Sequence, residues 1–489
     1  GIDFKTHRIL VSLSPSDVPK EGSHFDLPIL AGILHALGAL QPPSIEMKQF
    51  FWGEINLDGG IRPPRDLAMH LLNANGSATS AVFTSPPEAK SDLQTIGNYL
   101  NFSRHEISNV VDLWDEKIFS TSDRKETISN NSESEMNLAL LDRWQNEITS
   151  EEKKLWNSLQ GSSNQFKFWC VVALGRHHAL IEGAPGVGKS TWCLASRALH
   201  PPLNLKQAKE RYRFGPSHRA HLFSSCSPHS LWNAPFEAPH HSSTKAAIVG
   251  GGTGQIAVGA ITRANFGTLF LDEFLEYSRD VLEALREPLE QKAITLSRQG
   301  LARSFPADTQ ILAAFNPCRC GRFGSGSEKC DCTATSFQSY RARLSQPLQD
   351  RFHFYVKWKF ILENGGEGFD LKFVRRRLQE AKNLERIDLT EIRPSKNLSP
   401  RRLALVLQTF ESFCRWEFIQ KPSQQDFQNF INFLQSIQPE SNPTQEELTD
   451  DKTEIDLLSI ARRAREYRTS NSGSHMEHGG FDLKITQGD

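Results

Sequence analysis

The amino-acid sequence predicts an α/β fold: a P-loop core on a parallel sheet, a C-terminal α-helical lid and a smaller N-terminal α/β domain. Two motifs predict the core. Residues 183–190 read G-A-P-G-V-G-K-S, and residues 268–273 read T-L-F-L-D-E, an apolar strand that ends in two adjacent carboxylates. The lid is predicted by helical apolar spacing in residues 369–385, 400–418 and 454–467. Together the two motifs indicate that the chain binds and hydrolyses a nucleoside triphosphate.

The first motif matches the phosphate-binding pattern G-x-x-x-x-G-K-[ST], in which backbone N–H groups face the phosphates and the lysine adds a positive charge. Residues 179–181 before it are apolar and residues 191–197 after it have helical character. The loop therefore lies between a strand and a helix, as the motif requires. The predicted nucleotide-binding residues are Gly183, Pro185, Gly186, Gly188, Lys189, Ser190 and Thr191.

The second motif supplies the metal and water side of the same site. Ser190 and Asp272 offer the hard oxygen ligands that Mg²⁺ prefers, so we expect them to hold Mg²⁺ beside ATP. Glu273 is then free to orient or activate the attacking water. A glycine-rich turn and an unrelated buried strand are disfavoured, because each half of the pattern predicts the other.

Length and composition limit the number of domains and the kinds of partner that the chain can have. A chain of 489 residues is long enough for two or three domains with cores of their own. The net charge of −1 excludes a global attraction to polyanions, so contact with nucleic acid must come from a local patch. No apolar run approaches the ~20 residues that span a bilayer, and no signal peptide is visible at the first residue. We therefore expect a cytoplasmic protein without a membrane partner.

Four of the eight cysteines are bunched as C-x-C, a Gly- and Ser-rich stretch, and C-x-C. Cys318, Cys320, Cys330 and Cys332 can present four thiolates to one tetrahedral Zn²⁺, although C-x-C is tighter than the usual C-x-x-C. The alternatives are buried free thiols or disulfides, and a reducing cytoplasm disfavours the latter. Four protein ligands leave no position for water, which predicts a structural zinc. The other four, Cys170, Cys193, Cys226 and Cys414, are expected in the core.

Three further residues are typical of ATPases. Asn316 follows the apolar stretch 311–315 and could touch the γ-phosphate as a sensor, although a strand-end turn residue is the commoner explanation of a lone asparagine. Arg351, in L-S-Q-P-L-Q-D-R-F, fits a finger that reaches the ATP of the next subunit; the alternative is a solvated charge. Arg401, at a helix start after Pro400, is a candidate second sensor, with Arg402 as its neighbouring alternative.

These motifs carry a family resemblance over residues 165–359. P-F-E-A-P-H-H, the triple glycine at 250–252, L-F-L-D-E-F, V-L-E-A-L-R-E-P-L-E, A-A-F-N-P-C-R-C-G and the arginine box resemble the ComM (YifB) family of AAA+ ATPases, which is related to magnesium-chelatase ATPase subunits. The resemblance implies a ring-forming homo-hexamer that drives DNA branch migration in recombination or natural transformation. A recombinase is a candidate partner. It also implies the nucleotide, metal, sensor and finger roles given above, and it supports zinc at the four cysteines.

The N-terminal part resembles the Lon-protease-type domain of the same family. The resemblance covers residues 8–37, with V-P-K-E-G-S-H-F-D-L-P, and residues 53–74, which begin G-E-I-N-L-D-G. His24 and Ala68 occupy the positions of the serine–lysine dyad, and neither can do that chemistry. Ser23 is one residue away but would lack an activating base. We therefore expect an inactive docking or DNA-contacting domain in which the chain begins part-way.

Two segments could contact single-stranded or branched DNA. Residues 291–351 hold nine Lys or Arg against four acids, and within them residues 295–305 are expected to form a hairpin with Gly300 near its tip. Arg298 and Arg303 on that hairpin, and Lys245 and Arg263 beside the glycine-rich stretch 250–254, are the candidate phosphate contacts. Ordinary solvated charge is an equal alternative for each arginine.

The predicted domain boundaries are 1–112 for the Lon-like domain, 113–160 for a linker and helices, 161–360 for the ATPase core, 361–469 for the lid and 470–489 for a tag-like or displaced segment. Within them we expect a polar linker at 120–137, helices at 138–159, a zinc knuckle at 318–332 and a loop at 438–452. The last segment is set apart because residues 473–476 spell G-S-H-M, which is typical of a cleaved purification tag.

The sequence thus favours an ATP-driven DNA translocase or branch-migration helicase. Two other classes stay open. A chelatase-type ATPase would use the same core to remodel a protein partner, and DNA would then leave its ATPase rate unchanged. An ATP-dependent protease is disfavoured because it would need the missing dyad.

Overall fold

The computed structural model describes twelve stretches of the chain, and every structural statement below concerns them alone. They are residues 8–12, 25–40, 48–63, 79–84, 103–114, 133–214, 232–251, 257–298, 301–323, 330–360, 369–392 and 399–437.

The N-terminal region is a small α/β unit. Its elements are α1 (Asp26–Ala36), β1 (Lys48–Trp52), β2 (Glu54–Ile55), β3 (Ile61–Arg62), β4 (Thr79–Thr84) and β5 (Ser103–Glu106). Strands β1, β4 and β5 form a parallel sheet in that order, and β2 pairs with β3 as an antiparallel ribbon. A separate small core of Leu27, Leu34, Ile61 and Ile107 lies between the helix and these strands.

Three helices lead into the ATPase core: α2 (Glu133–Asn146), α3 (Ser150–Asn157) and α4 (Ser163–Leu174). Both α3 and α4 begin with a capping box, because Thr149 and Ser162 each exchange hydrogen bonds with the third helical residue. The prediction of a linker at 120–137 is therefore wrong at its C-terminal end, where α2 already begins at Glu133. Its sequence there, E-S-E-M-N-L, mixes polar and apolar residues that a helix accommodates as easily as a linker does.

The core continues with further strands and helices up to residue 357. They are β6 (Ala179–Glu182), α5 (Lys189–Ala195), α6 (Leu205–Phe214), β7 (Phe236–Glu237), α7 (Lys245–Ile248), β8 (Gly250–Gly251), β9 (Ala257–Val258), α8 (Ala260–Arg263), β10 (Thr268–Leu271), α9 (Arg279–Ala284), α10 (Arg286–Gln291), β11 (Ala293–Arg298), β12 (Leu301–Pro306), β13 (Gln310–Phe315), α11 (Ala334–Arg341), α12 (Gln346–Gln349) and β14 (Phe354–Lys357).

Five parallel strands form the central sheet in the order β14-β6-β13-β10-β7. All residues of β6, β10 and β13 are buried, which is why these segments read as continuous apolar runs. Parallel strands bring all their carboxyl ends to one edge and all their amino ends to the other. The predicted α/β P-loop fold is confirmed.

The lid consists of α13 (Leu371–Lys382), α14 (Pro400–Glu417) and α15 (Gln424–Ile437). The first two match the sequence prediction, α15 was not predicted, and residues 454–467 lie outside the described stretches. Arg375 ties the lid to the core: it is 1% exposed and donates to the carbonyls of Ala198 and Trp144 and to Glu152 at 2.5 Å. A buried charge with this many partners makes the lid and the core one packed unit.

Candidate functional site

The phosphate-binding loop has the predicted strand–loop–helix setting. It leaves buried β6 and enters α5, which begins at Lys189. Gly186 and Gly188 have φ angles of 81° and 86°, a left-handed conformation that glycine adopts without a steric penalty. Gly186 and Gly188 are therefore required by the backbone shape of the loop.

Lys189 lies inside this loop. Its Nζ donates to the carbonyl oxygens of Gly183 (2.5 Å) and Ala184 (2.8 Å) and to Oδ1 of Asn316 (3.1 Å). Only 8% of the residue is exposed, and burial lowers the pKa of its ammonium to about 8, against the opposing effect of Asp272. Asn316 therefore contacts the lysine of the loop, and its role as a sensor stays a prediction.

The residues expected to hold magnesium meet at the same edge of the sheet. Ser190 Oγ donates to Asp272 Oδ2 at 2.6 Å, although the two residues belong to different strand–loop units. A hydroxyl and a carboxylate in contact are a donor set that suits Mg²⁺, which takes few protein oxygens and keeps its waters. The geometry thus fits the predicted pair.

Glu273 has a strained backbone and a partner that the sequence analysis did not predict. Its φ and ψ of 50° and 43° lie in the left-handed region, which is uncommon for a residue with a side chain. Its Oε2 lies 2.5 Å from Nδ1 of His241. His241 belongs to the P-F-E-A-P-H-H motif, whose histidines have no role in the sequence prediction, and the structure places it in contact with Glu273.

A second unpredicted cluster lies directly behind the loop. Glu182, the last residue of β6, accepts hydrogen bonds from Arg341 Nη1 (2.7 Å) and from the Tyr355 hydroxyl, and Arg341 also donates to Tyr355. Glu182 is almost fully buried, so its charge requires this compensation. The cluster links the strand before the loop to α11 and β14.

The four predicted cysteine ligands converge. Their Sγ atoms all lie within 4.8 Å of one another. The Cys318–Cys320, Cys318–Cys330 and Cys320–Cys330 sulfur distances are 3.4, 3.7 and 3.6 Å. A tetrahedral zinc with bonds of ~2.3 Å would place its sulfurs about 3.8 Å apart, so the cluster has the dimensions of a Cys₄ site. Cys170, Cys193 and Cys414 are buried, as expected, and Cys226 lies outside the described residues.

This cysteine knuckle packs against the phosphate-binding loop. Gly321, between the cysteine pairs, has a φ of 80°, and a Cβ built there would lie 2.5 Å from Cγ of Pro185. The helix that follows the knuckle, α11, contacts Asn316: the Tyr340 hydroxyl donates to the Asn316 carbonyl at 3.2 Å. The knuckle and the helix that follows it therefore contact both the loop and Asn316.

The two predicted arginines lie at the opposite edge of the sheet. Arg351 comes just before β14, where His353 N donates to the carbonyl of His178, the residue before β6. The phosphate-binding loop follows the other end of β6, whose four residues separate the edges by about 10 Å at ~3.3 Å per residue. Arg351 and Arg401 both donate to Glu290, so Arg401 lies at this amino edge too. Arg402, the alternative, instead donates to the Phe352 carbonyl at 2.6 Å.

The predicted DNA-contacting segments are partly described. Strands β11 and β12 form the predicted hairpin, pairing Ala293 with Pro306 and Arg298 with Leu301. Arg303 and Lys245 are exposed, and the side chain of Arg298 lies outside the described part. Arg263 pairs with Glu237 at 3.0 Å, which engages it within the fold. Its role in DNA binding stays a prediction, like that of the other three.

Several predicted positions lie outside the described residues altogether. They are Ser23, His24 and Ala68 of the dyad positions, the hairpin tip at Gly300, the loop at 438–452 and the tag-like residues 470–489. Within the described residues, no helix is both long enough and apolar enough to cross a membrane.

Comparison with known proteins identifies the family. Family profiles described as "Magnesium chelatase, subunit ChlI" and "Subunit ChlI of Mg-chelatase" match residues 156–364 and 1–87. The competence protein ComM of Haemophilus influenzae is 30% identical over 370 residues, which cover 74% of this chain and 68% of ComM. This chain belongs to the ComM (YifB) family of magnesium-chelatase-related AAA+ proteins.

Other relatives give the same result. An uncharacterized protein of Mycobacterium tuberculosis is 32% identical over 367 residues, 73% of this chain and 66% of the relative. The uncharacterized protein YifB of Escherichia coli is 29% identical over 355 residues, 72% of this chain and 64% of YifB. The chain thus spans about two thirds of the length of these relatives. Membership of this family makes the chain an AAA+ ATPase.

Proposed function

We propose that this AAA+ ATPase is a cytoplasmic DNA motor that uses ATP hydrolysis to drive branch migration during recombination or natural transformation. The observation that carries the proposal is the β11–β12 hairpin, a basic ribbon attached directly to the ATPase core. The name of the Haemophilus relative, a competence protein, is in keeping with DNA uptake as the setting.

The hairpin has a base anchored in the core and an outer half that carries arginines, as a force-transmitting element requires. Its base is anchored because Ile294 and Phe305 are buried and because Thr295 N donates to Glu287 Oε1 at 2.9 Å. Its outer half carries Arg303, which is exposed, and Arg298. Arginines on such a ribbon bind phosphates without reading sequence, which is the kind of contact a translocating motor needs.

Hydrolysis would take place between neighbouring subunits. The nucleotide site would lie at the carboxyl edge and consist of Lys189, Ser190, Asp272, Glu273 and Asn316. Glu273 would activate the attacking water, and His241 would orient Glu273. Arg351 at the far edge cannot reach that site from within the subunit. A closed ring of copies, a hexamer by family resemblance, would bring each Arg351 to the next nucleotide, where it offsets the charge of the transition state.

We further propose zinc at Cys318, Cys320, Cys330 and Cys332. The knuckle brings the four thiolates together, and the metal would supply structural crosslinking there. The ligand set leaves no open position for catalysis.

One rival has specific support, since the matching family profiles are those of magnesium-chelatase subunits. In that case the same core would remodel a protein partner, and DNA would neither bind nor stimulate hydrolysis. A recombinase partner, by contrast, belongs with the DNA motor.

The decisive experiment measures ATP hydrolysis with and without DNA, together with branch movement on a three-stranded substrate. Wild-type protein should be stimulated by DNA, more strongly at low salt, and should move the branch. Glu273→Gln should bind ATP yet hydrolyse it about 100-fold or more slowly, because the general base is lost. Lys189→Ala should lose ATP binding, and neither variant should move the branch.

Lys153→Ala serves as the matched control, because it removes an exposed lysine of α3 that is not part of the loop motif. The motor proposal fails if wild-type protein hydrolyses ATP but neither binds DNA nor moves a branch.

A further inference from the structure

Glu290 joins two arginines that come from distant parts of the chain. Arg351 Nη2 donates to Glu290 Oε2 at 2.6 Å, across 61 positions of sequence. Arg401 Nη2 donates to the other oxygen, Oε1, across 111 positions. One carboxylate thus holds one guanidinium on each oxygen, and the two cations are brought side by side.

The described hydrogen bonds use only some of the donors of the two arginines. A guanidinium has five N–H donors. Arg351 donates from Nη2 to Glu290 and from Nη1 to the Pro347 carbonyl. Its buried Nε has no partner among the described residues. Its side chain is only 10% exposed, so packing and Glu290 together fix its direction. Arg401 is half-exposed and depends more on the carboxylate for its position.

Without Glu290 the pair would be unfavourable. Two guanidinium charges at such close range repel each other, and a carboxylate between them offsets the repulsion. The hydrogen bond from Arg351 and the charges of both arginines hold the pKa of Glu290 below its usual value, so it stays ionised at neutral pH.

We infer that Glu290 is a positioning residue that presents Arg351 and Arg401 as a pair to the triphosphate held by a second copy of this chain. The inference rests on the proposed assembly, in which nucleotides lie between subunits, and it assigns Glu290 a role in hydrolysis without contact to ATP. A preset pair reaches the phosphate oxygens without an ordering step, and a misplacement of about 1 Å can cost 100-fold in rate.

The test is ATP hydrolysis without DNA by the full chain carrying Glu290→Gln. Glutamine keeps the size but removes the charge. We expect kcat to fall about 10- to 100-fold, while KM for ATP and nucleotide binding by the isolated subunit stay within about twofold, because the loss is confined to the transition state. Glu283→Gln is the matched control: Glu283 pairs with Arg286 at 3.0 Å and touches neither arginine of the pair.

Mixing subunits separates positioning from folding. Glu290→Gln protein retains its own phosphate-binding loop, and Lys189→Ala protein retains its arginine pair. Mixed in equal amounts, the two should hydrolyse ATP faster than either does alone, because a Lys189→Ala neighbour supplies the intact pair to a Glu290→Gln nucleotide site.

Unchanged kcat in Glu290→Gln, or no recovery on mixing, overturns the inference. A raised kcat overturns it as well, since Glu290 would then compete with the phosphates for the arginines. Because DNA is absent, a failure here is distinct from a failure of the motor proposal, which is measured by DNA stimulation of wild-type protein.

Discussion

At the carboxyl edge of the five-stranded sheet, Lys189, Asn316, Ser190 and Asp272 lie in hydrogen-bonding contact and form a nucleotide site. At the amino edge, Arg351 contacts Glu290, and the neighbouring rings of His177, His178 and His353 lie close to one another. Under the proposed function, the two edges would hold complementary halves of one reaction centre. A single copy would then not complete the centre, because a parallel sheet separates the two edges.

The largest expected effect tests this division. Arg351→Ala should lower kcat by about 10³-fold, because an arginine finger stabilises the charge of the transferring phosphoryl group. Nucleotide binding by the isolated subunit should be unchanged, since the finger lies at the other edge. Titration with a fluorescent nucleotide and steady-state hydrolysis measure the two quantities. A weakened nucleotide affinity in the isolated subunit would show that the finger serves its own site.

A smaller effect tests whether the carboxyl edge depends on the knuckle. Removing the metal by chelation should release about one zinc per chain and weaken nucleotide binding about tenfold, or ~1.4 kcal/mol. The reason is the packing of Gly321 on Pro185. Metal analysis and nucleotide titration give the answer. Cys332→Ser should reproduce the loss, whereas Cys414→Ser, a buried thiol of the lid, should retain zinc. Finding no zinc in the wild-type protein would contradict the prediction.

The amino edge should instead respond to acid. Burial, and then the nearby His353 and His178, hold the pKa of His177 well below 6.5, and its Nε2 lies 2.8 Å from Ser412 Oγ. A histidine with a lowered folded pKa takes up its proton more readily when unfolded. The free energy of unfolding is therefore fully retained above pH 6.5 and falls below it, by up to about 1.4 kcal/mol per pH unit per histidine.

The check is urea unfolding between pH 7.5 and 5 for wild type and His177→Gln. Glutamine can still meet Ser412 but does not titrate, so the variant should lose stability less steeply as the pH falls. Equal slopes in the two proteins would mean that His177 does not contribute.

The smallest effect concerns the hairpin. Glu287→Ala removes the carboxylate that accepts from Thr295 N at the hairpin base, an interaction of about 1 kcal/mol. Basal hydrolysis should persist while stimulation by DNA falls a few-fold. Glu283→Ala, on the preceding helix, is the comparison. If both variants respond to DNA like wild type, the hairpin base does not transmit the effect of DNA.

Local patterns predicted much of the nucleotide site. The loop motif, the strand ending at Asp272 and the strand ending at Asn316 each carry their own signal, and parallel strands place such ends together. Helix α15 escaped prediction even though Phe427, Phe430, Ile431 and Leu434 recur at helical spacing. Here the signal was present in the sequence. For Glu290 no such signal exists, because its partners are 61 and 111 residues away.

The amino-acid sequence by itself determined the chemical groups: a loop in which Gly186 and Gly188 adopt a left-handed backbone conformation, a lysine, two carboxylates and four thiols at close spacing. These features depend on backbone conformation and short-range spacing, so they can be predicted without the tertiary structure. Only the tertiary structure decided which residues share an edge of the sheet. It joined His241 to Glu273, the knuckle to Pro185 and Glu290 to two arginines, because strand order brings together residues that are distant along the chain.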